Sequence, residues 1–435
     1  MGGSVAGLLA ARVLADYAEE VVVIERDEAG QHAGPRSGVP QNRHGHVLLQ
    51  GGQKQIERWF PGFARDTVAR GGHLARPDQQ VVYYDGRSQV PSSDASMLVG
   101  SRPLLEAGIR DRVLALPNVR MQVGQARGLS YDERRVSGVV VDDGLVSADF
   151  VVDATGRSSK LSSWLDSDGF QRPPMRRVKT GIHYATMQVK RSGGADEQEL
   201  AFVLEHFRPN SMPFDLTAAY LSVIERDQWL MMLMTYNDHP AARSVEAFRA
   251  TCAELSPTFG EVAGNTITRG IETFYQADSR RRDFSETPGF PAGLVAVGDA
   301  VASFNPIYGQ GIASAALHAS CLAEYLAGGP DVRQVAGDFF ALQRIVVDAA
   351  WAISAGGDAA RQDRIHGVDA PADVARQRWA LEQVIQATLV DEQISEIWGA
   401  VTRMETHPIR LSDPKLIERA VGVNHPAGPG WVAGA

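Results

Sequence analysis

The sequence predicts an α/β protein in three parts: a three-layer unit on a mainly parallel sheet, an antiparallel sheet inserted into it, and a helical C-terminal region. Three observations carry this. First, residues 4–18, SVAGLLAARVLADYA, hold apolar side chains at helical spacing and lead straight into Val21-Val22-Val23-Ile24. That short, β-branched, uninterrupted run suits a strand buried on both faces. Second, from about 175 to 237 the pattern becomes an alternation of period two, as in antiparallel strands. Third, the αβ pattern returns at 294–299, and after Gly311 the chain reads as mostly helical, with a Gly/Asp/Ala-rich break near 356–372.

Helix followed by parallel strand is half of a βαβ unit. The other half would be a buried strand immediately before the glycine turn, yet Met1 abuts Gly2. Such a strand carries about four buried aliphatic side chains at about 1.5–3 kcal/mol each, comparable to a domain's whole stability of about 5–15 kcal/mol. The expectation is therefore a native start upstream of Met1. Within the middle block, residues 177–189, 220–224 and 228–236 read as strands, and 192–197 as a turn. The domains expected are 1–174 together with 284–330, the antiparallel-sheet substrate domain 175–283, and the helical region 331–435.

Composition narrows the class. The 435 residues are enough for two lobes, and 44% apolar with 22% charged residues is ordinary for a soluble globular protein. A net charge of −9 offers no electrostatic reason to expect nucleic acid or an anionic membrane as partner. No stretch approaches the roughly 18 consecutive apolar residues of a membrane span, so no transmembrane segment is expected. The two cysteines, Cys252 and Cys321, lie far apart without metal-ligand spacing. They exclude a disulfide framework, suit a reducing cytoplasm and read as small buried hydrophobes.

The first chemical motif is Gly2-Gly3-Ser4-Val5-Ala6-Gly7, a G-x-G-x-x-G turn with Ser4 at the second glycine and Ala6 and Gly7 in the opening helix. Small residues let the backbone approach a pyrophosphate, and the helix N-terminus supplies N–H donors and partial positive charge. Glu25 and Arg26 end the following strand, where a carboxylate can accept bonds from an adenosine ribose. Alone, this turn does not separate FAD from NAD, or either from a turn without ligand.

The second motif makes FAD the cofactor. Gly298-Asp299-Ala300 follows a buried strand, and Asn305-Pro306-Ile307-Tyr308-Gly309-Gln310-Gly311 then opens an apolar helix beginning at Ile312. Asp299 at a strand end can bind ribityl hydroxyls. The loop through Pro306, Gly309 and Gly311 lets backbone N–H groups reach an isoalloxazine ring. The helix start faces the ring edge that becomes negative on reduction. A third motif, Asp153-Ala154-Thr155-Gly156-Arg157-Ser158-Ser159, ends the strand near 150–152.

With these residues in place the chain resembles the FAD-dependent monooxygenases of the aromatic-hydroxylase and squalene-epoxidase superfamily. It is most similar to the bacterial flavin epoxidases that act on polyene and polyether polyketides. The more specific segments are Arg36-Ser37-Gly38-Val39-Pro40-Gln41-Asn42-Arg43-His44-Gly45-His46, Gly51-Gly52, Phe60-Pro61-Gly62, Ser101-Arg102-Pro103-Leu104-Leu105 and Asp348-Ala349-Ala350-Trp351. The resemblance implies a Rossmann-like FAD-binding domain, with Arg36 and Arg102 contacting FAD and the backbone of Ala126 lying against adenine. It implies an apolar small-molecule substrate and O2, with oxygen delivered by a flavin C4a-hydroperoxide, so no catalytic side chain is named. NADPH or NADH would supply electrons, directly or through a partner flavin reductase. The direct route is in question, because the Asp-Gly pair of NADPH-binding aromatic hydroxylases here reads Asp153-Ala154.

Other chemistries fare worse. Trp229-Leu230-Met231 lacks the second tryptophan of the halogenase motif. His44 and His46, two apart, do not share a helical face, so no metal site is expected. In a strand, Met232 and Met234 share one face and Met231 the other, and one of these faces is a candidate to line a substrate pocket. The expected reaction is epoxidation of an apolar polyene. Hydroxylation of an aromatic polyketide, a flavin dehydrogenase or reductase that uses no O2, and a non-enzymatic dinucleotide-binding protein are the alternatives.

Overall fold

The computed structural model describes residues 1–28, 40–91, 96–142, 144–192, 200–205, 217–236 and 242–425. The chain divides into two compact units. One comprises Met1–Arg70, Ser101–Val178 and Asp278–Trp351; the other comprises Gly71–Gly100, Lys179–Ala277 and Ala352–Ala435.

In the first unit, strand Val21–Glu25 pairs in parallel with Val119–Val123, and Val151–Asp153 pairs in parallel with Leu294–Ala296. Met1 and Gly2 stitch the two pairs together. The Met1 amino group donates to the Val152 carbonyl at 2.9 Å, the Ala154 N–H donates to the Met1 carbonyl at 2.9 Å, and the Gly2 N–H donates to the Ile24 carbonyl at 2.8 Å. Helix Val5–Leu14 packs against helices Arg102–Leu114 and Gln310–Ala327. An antiparallel sheet of Ala126–Asp132, Arg135–Val141 and Gly144–Ser147 completes the layering. Helix Gln50–Trp59 crosses Gln310–Ala327 at Gly52, where a Cβ would stand 2.6 Å from the Ala313 Cα. Only glycine permits that approach.

In the second unit residues 179–190 of strand Met175–Lys190, then Gln228–Tyr236, Thr217–Ile224, Leu200–Glu205 and Gln80–Tyr84 run across one sheet, with residues 267–277 of strand Ile267–Arg282 at the outer side of the first. From Met175–Lys190 to Leu200–Glu205 each neighbouring pair is antiparallel, and Gln80–Tyr84 lies parallel to Leu200–Glu205. The sheet has two different faces. Ala185, Met187, Val189, Leu221, Trp229, Met231 and Leu233 point into an apolar core closed by Phe248, Cys252 and Phe259 of helices Val245–Leu255 and Pro257–Ala263. Tyr184, Thr186, Tyr220, Ser222, Met232 and Met234 occupy the alternate positions and are buried as well. A second core, around Val384, Ile394, Trp398 and Ala420, unites helices Ala372–Ala387, Glu392–Thr402 and Pro414–Asn424.

The fold class is the expected one: an α/β, Rossmann-like, mainly parallel unit, an antiparallel sheet and C-terminal helices. Two local expectations need correction. Residues 356–365 are not a break, since Gly337–Ile365 is one helix of 29 residues. A Cβ at Gly356 would meet nothing within 4 Å, so this glycine costs propensity without ending the helix. The first helix stops at Leu14, not Ala18. Residues 193–197 of the expected turn lie outside the described residues. By length and composition Gly337–Ile365 is the one helix among the described residues that could cross a membrane. It is tied into the protein by polar contacts: Arg281 Nη1 donates to Asp348 at 2.6 Å, and Thr180 Oγ1 donates to Asp358 at 2.9 Å.

Candidate cofactor site

The glycine turn is closed to side chains. Gly2 has φ of 94°, and a Cβ there would lie 2.3 Å from the Ala154 carbonyl oxygen; at Gly7 it would lie 1.8 Å from that of Gly2. Glu25, buried at its strand end, accepts from the Gly3 N–H at 2.6 Å and the Asp27 N–H at 3.0 Å. Its carboxylate thus braces the turn directly. Ser4 is the N-cap of helix Val5–Leu14 but makes no capping hydrogen bond. Its hydroxyl instead donates to Glu106 Oε2 at 2.8 Å and accepts from Arg102 Nη2 at 3.2 Å. Glu106 also accepts from Arg102 Nε at 3.3 Å and from Arg110 Nη2 at 2.6 Å. Arg102, Glu106 and Arg110 recur every four residues on one helix and are all buried.

The second half of the site starts where Leu294–Ala296 ends. Gly298 has φ of 62° and approaches Ala6 so closely that a Cβ would stand 2.6 Å from the Ala6 Cβ. This contact brings the Asp299 loop against the glycine turn. The Gly298 N–H donates to His318 Nδ1 at 3.0 Å, so the ring proton sits on Nε2, beside Ser314 Oγ at 3.5 Å. Burial pushes the His318 pKa down to about 3, keeping the ring neutral. Burial raises the Asp299 pKa, and the positive charges of Arg102 and Arg157 oppose it. Asn305 accepts from the Ile307 N–H at 3.1 Å and Gly309 turns with φ of 65°, launching helix Gln310–Ala327. A Cβ at Gly309 would lie 3.6 Å from the Val47 Cβ. His46, next to Val47, bonds the His44 carbonyl through Nδ1 at 3.0 Å, and burial with the nearby Arg102 charge lowers its pKa to about 3.

The structure therefore gathers Gly2, Ser4, Ala6, Gly7, Glu25 and Arg102 with the loop from Asp299 through Pro306, Gly309 and Gly311 to Ile312. Arg26 is exposed just beyond Glu25, and Ala126 starts the antiparallel sheet two residues after Gly124, whose N–H donates to the Glu25 carbonyl at 2.9 Å. Arg36 lies outside the described residues. Sequence reasoning missed Glu106, Arg110 and His318; the four-residue spacing of Arg102, Glu106 and Arg110 could have signalled the first two, and nothing local signalled His318. Among the described residues no cluster of His, Cys, Asp and Glu could hold a metal. In the third motif Asp153 accepts from the Thr155 N–H at 3.0 Å, Thr155 Oγ1 at 2.6 Å and Ser159 Oγ at 2.5 Å, while Arg157 reaches out to Ser303 Oγ at 2.8 Å and pairs with Asp278.

These features fit a flavin dinucleotide. Among the described residues, neither of two helix N-termini, of Val5–Leu14 and Gln310–Ala327, is capped by a side-chain hydrogen bond, which leaves backbone N–H donors for a phosphate or ring oxygen. Gln310 Oε1, buried at the second, has no hydrogen-bond partner among the described residues. The chain belongs to the FAD binding domain family, whose model matches residues 1–329. The family makes FAD the cofactor, and solved flavin-dependent oxygenases share the fold. Protein Rv3254 of Mycobacterium tuberculosis is 32% identical over 342 residues, which cover 74% of this chain and 71% of that protein. PqsL of Pseudomonas aeruginosa, a probable FAD-dependent monooxygenase, superposes with TM-score 0.66 at 18% identity, covering 83% of this chain and 94% of that one. 2-Methyl-3-hydroxypyridine-5-carboxylic acid oxygenase does so with TM-score 0.61 at 18% identity, over 84% and 90%.

Proposed function

We propose that this enzyme epoxidises an apolar polyene or polyketide, the reduced flavin and O2 supplying the oxygen. One observation carries the reading: the sheet face of Tyr184, Tyr220, Met232 and Met234 in the second unit. It offers thioethers and aromatic rings to an apolar ligand, while the nearby Asp358 carboxylate is held by Thr180 and Arg361. Burial raises the Tyr220 pKa to about 12 and that of Tyr184 well above its ordinary value, so both hydroxyls stay protonated at neutral pH. An alkene needs no base, whereas a phenol profits from one.

In this reading residues 1–174 with 284–330 bind FAD, 175–283 bind substrate and 331–435 form the helical region. Gly2, Ser4, Ala6 and Gly7 receive the diphosphate, Glu25 and Arg26 the ribose, and Ala126 the adenine. Asp299 takes the ribityl chain, and the loop from Pro306 to Ile312 takes the ring; Arg36 and Arg102 contact FAD. NADPH or NADH supplies electrons. The occupied Asp153 carboxylate favours delivery through a partner flavin reductase. A reducing cytoplasm suits Cys252 and Cys321, both unpaired, with thiol pKa values raised by burial to about 12.

Hydroxylation of an aromatic polyketide is the second reading. It is favoured by the packed Tyr184–Phe274 ring pair, 6.0 Å between ring centres, an aromatic surface for a planar ligand, and by the structure of PqsL with 2-aminobenzoylacetate. Incubation of the reduced holoenzyme with polyenes and with phenolic polyketides under isotopically labelled O2 separates the two. An epoxide carrying one labelled atom is expected. Label found only in a phenol product refutes epoxidation, and label in neither points to a dehydrogenase. Bleaching of the flavin by NADPH or NADH, with and without a flavin reductase, decides the donor route.

A further inference from the structure

Serine is among the strongest N-caps, because its hydroxyl accepts from the second or third helical N–H. Ser4 stands at that position, extended with φ of −96° and ψ of −172°, and does not cap. Its oxygen is held 2.8 Å from Glu106 Oε2, with Arg102 Nη2 at 3.2 Å. Glu106 is fixed by Arg102 and Arg110, at side-chain exposures of 5% for the carboxylate and 10% for each arginine. We propose that Glu106 is a positioning residue of the cofactor site. By holding the Ser4 hydroxyl it keeps that hydroxyl off helix Val5–Leu14, leaving the amides of Ala6 and Gly7 to the FAD diphosphate. Serine at the second glycine of the turn is thus neutralised by a partner 102 residues away. The inference rests on FAD binding at the glycine turn.

Two rival roles predict different results. If Glu106 mattered only as a negative charge near a diphosphate, removing it would tighten binding. If it served only to fold the helix, the identity of residue 4 would be irrelevant. The test measures FAD dissociation constants of refilled apoprotein by flavin fluorescence, with circular dichroism as a check on folding. Glu106→Ala is expected to weaken FAD at least about tenfold, an effect of about 1.4 kcal/mol. Ser4→Ala, which cannot cap, is expected to restore most of the loss when added to Glu106→Ala. Glu106→Gln, which still offers Ser4 an acceptor, is expected to stay within about threefold of wild type. Tighter binding by Glu106→Ala, or a loss that Ser4→Ala leaves unrepaired, overturns the proposal. Should Glu106→Ala not fold, wild-type protein labelled at glycine and alanine amides still decides. The Ala6 and Gly7 proton signals should move downfield when FAD enters, and signals that stay in place refute the idea. Wild-type protein that takes up no FAD would instead sink the cofactor assignment at this turn.

Discussion

At Gly7 one methyl group would arrive 1.8 Å from the Gly2 carbonyl oxygen, with the rest of the turn fixed by Glu25. Gly7→Ala is therefore expected to cost about 3 kcal/mol and to abolish FAD uptake, read by thermal unfolding and flavin retention. Gly311→Ala is the contrast: a Cβ there would meet nothing within 4 Å, so stability should stay within about 0.5 kcal/mol. Any loss of flavin affinity in that variant then reports backbone that must come close to the ring. His318 gives a pH dependence with a definite sign. Its folded pKa of about 3 lies below the ordinary 6.5, so between those values the unfolded chain binds a proton that the folded one refuses. Stability contributed by the neutral ring is complete above pH 6.5 and declines as pH falls, by up to about 1.4 kcal/mol per pH unit. Urea unfolding at pH about 7 and about 5.5 should show a shallower decline in His318→Gln than in wild type.

Among the elements, the strand Gln228–Tyr236 separates two roles along one run of apolar residues. Met231 lies in the core beneath Phe248 and Phe259, so Met231→Ala should cost about 2–5 kcal/mol in unfolding experiments. Met232→Leu preserves volume and should cost less than about 1.5 kcal/mol, while shifting KM for an apolar substrate if the opposite face binds it. That alternation was legible in the sequence, as were Val21–Glu25 and the two glycine loops, because each is specified by neighbours in the chain. Strand Ile267–Arg282 was not: its inward residues are mostly half-buried and interleaved with charges, so the apolar contrast is weak. Gln80–Tyr84 was hidden for another reason, since its partner, Leu200–Glu205, lies more than a hundred residues downstream. The site divides likewise. Glu25 and Asp299 end strands and announce themselves; Glu106 and His318 act on Ser4 and Gly298 across the fold, 102 and 20 residues off.

For the whole molecule, a cofactor that binds only folded protein is a stabiliser by mass action. FAD at a hundred times its dissociation constant should raise unfolding free energy by about 2.7 kcal/mol, measured as a concentration-dependent rise in Tm. The first unit has a seam on which this should act. Its parallel strands come in two pairs, with Met1 and Gly2 bonded to both. Three hydrogen bonds through Met1 and Gly2 make the pairs one surface. The deuterium uptake of just two amides, Gly2 and Ala154, should therefore time how often the nucleotide-binding sheet parts down its middle.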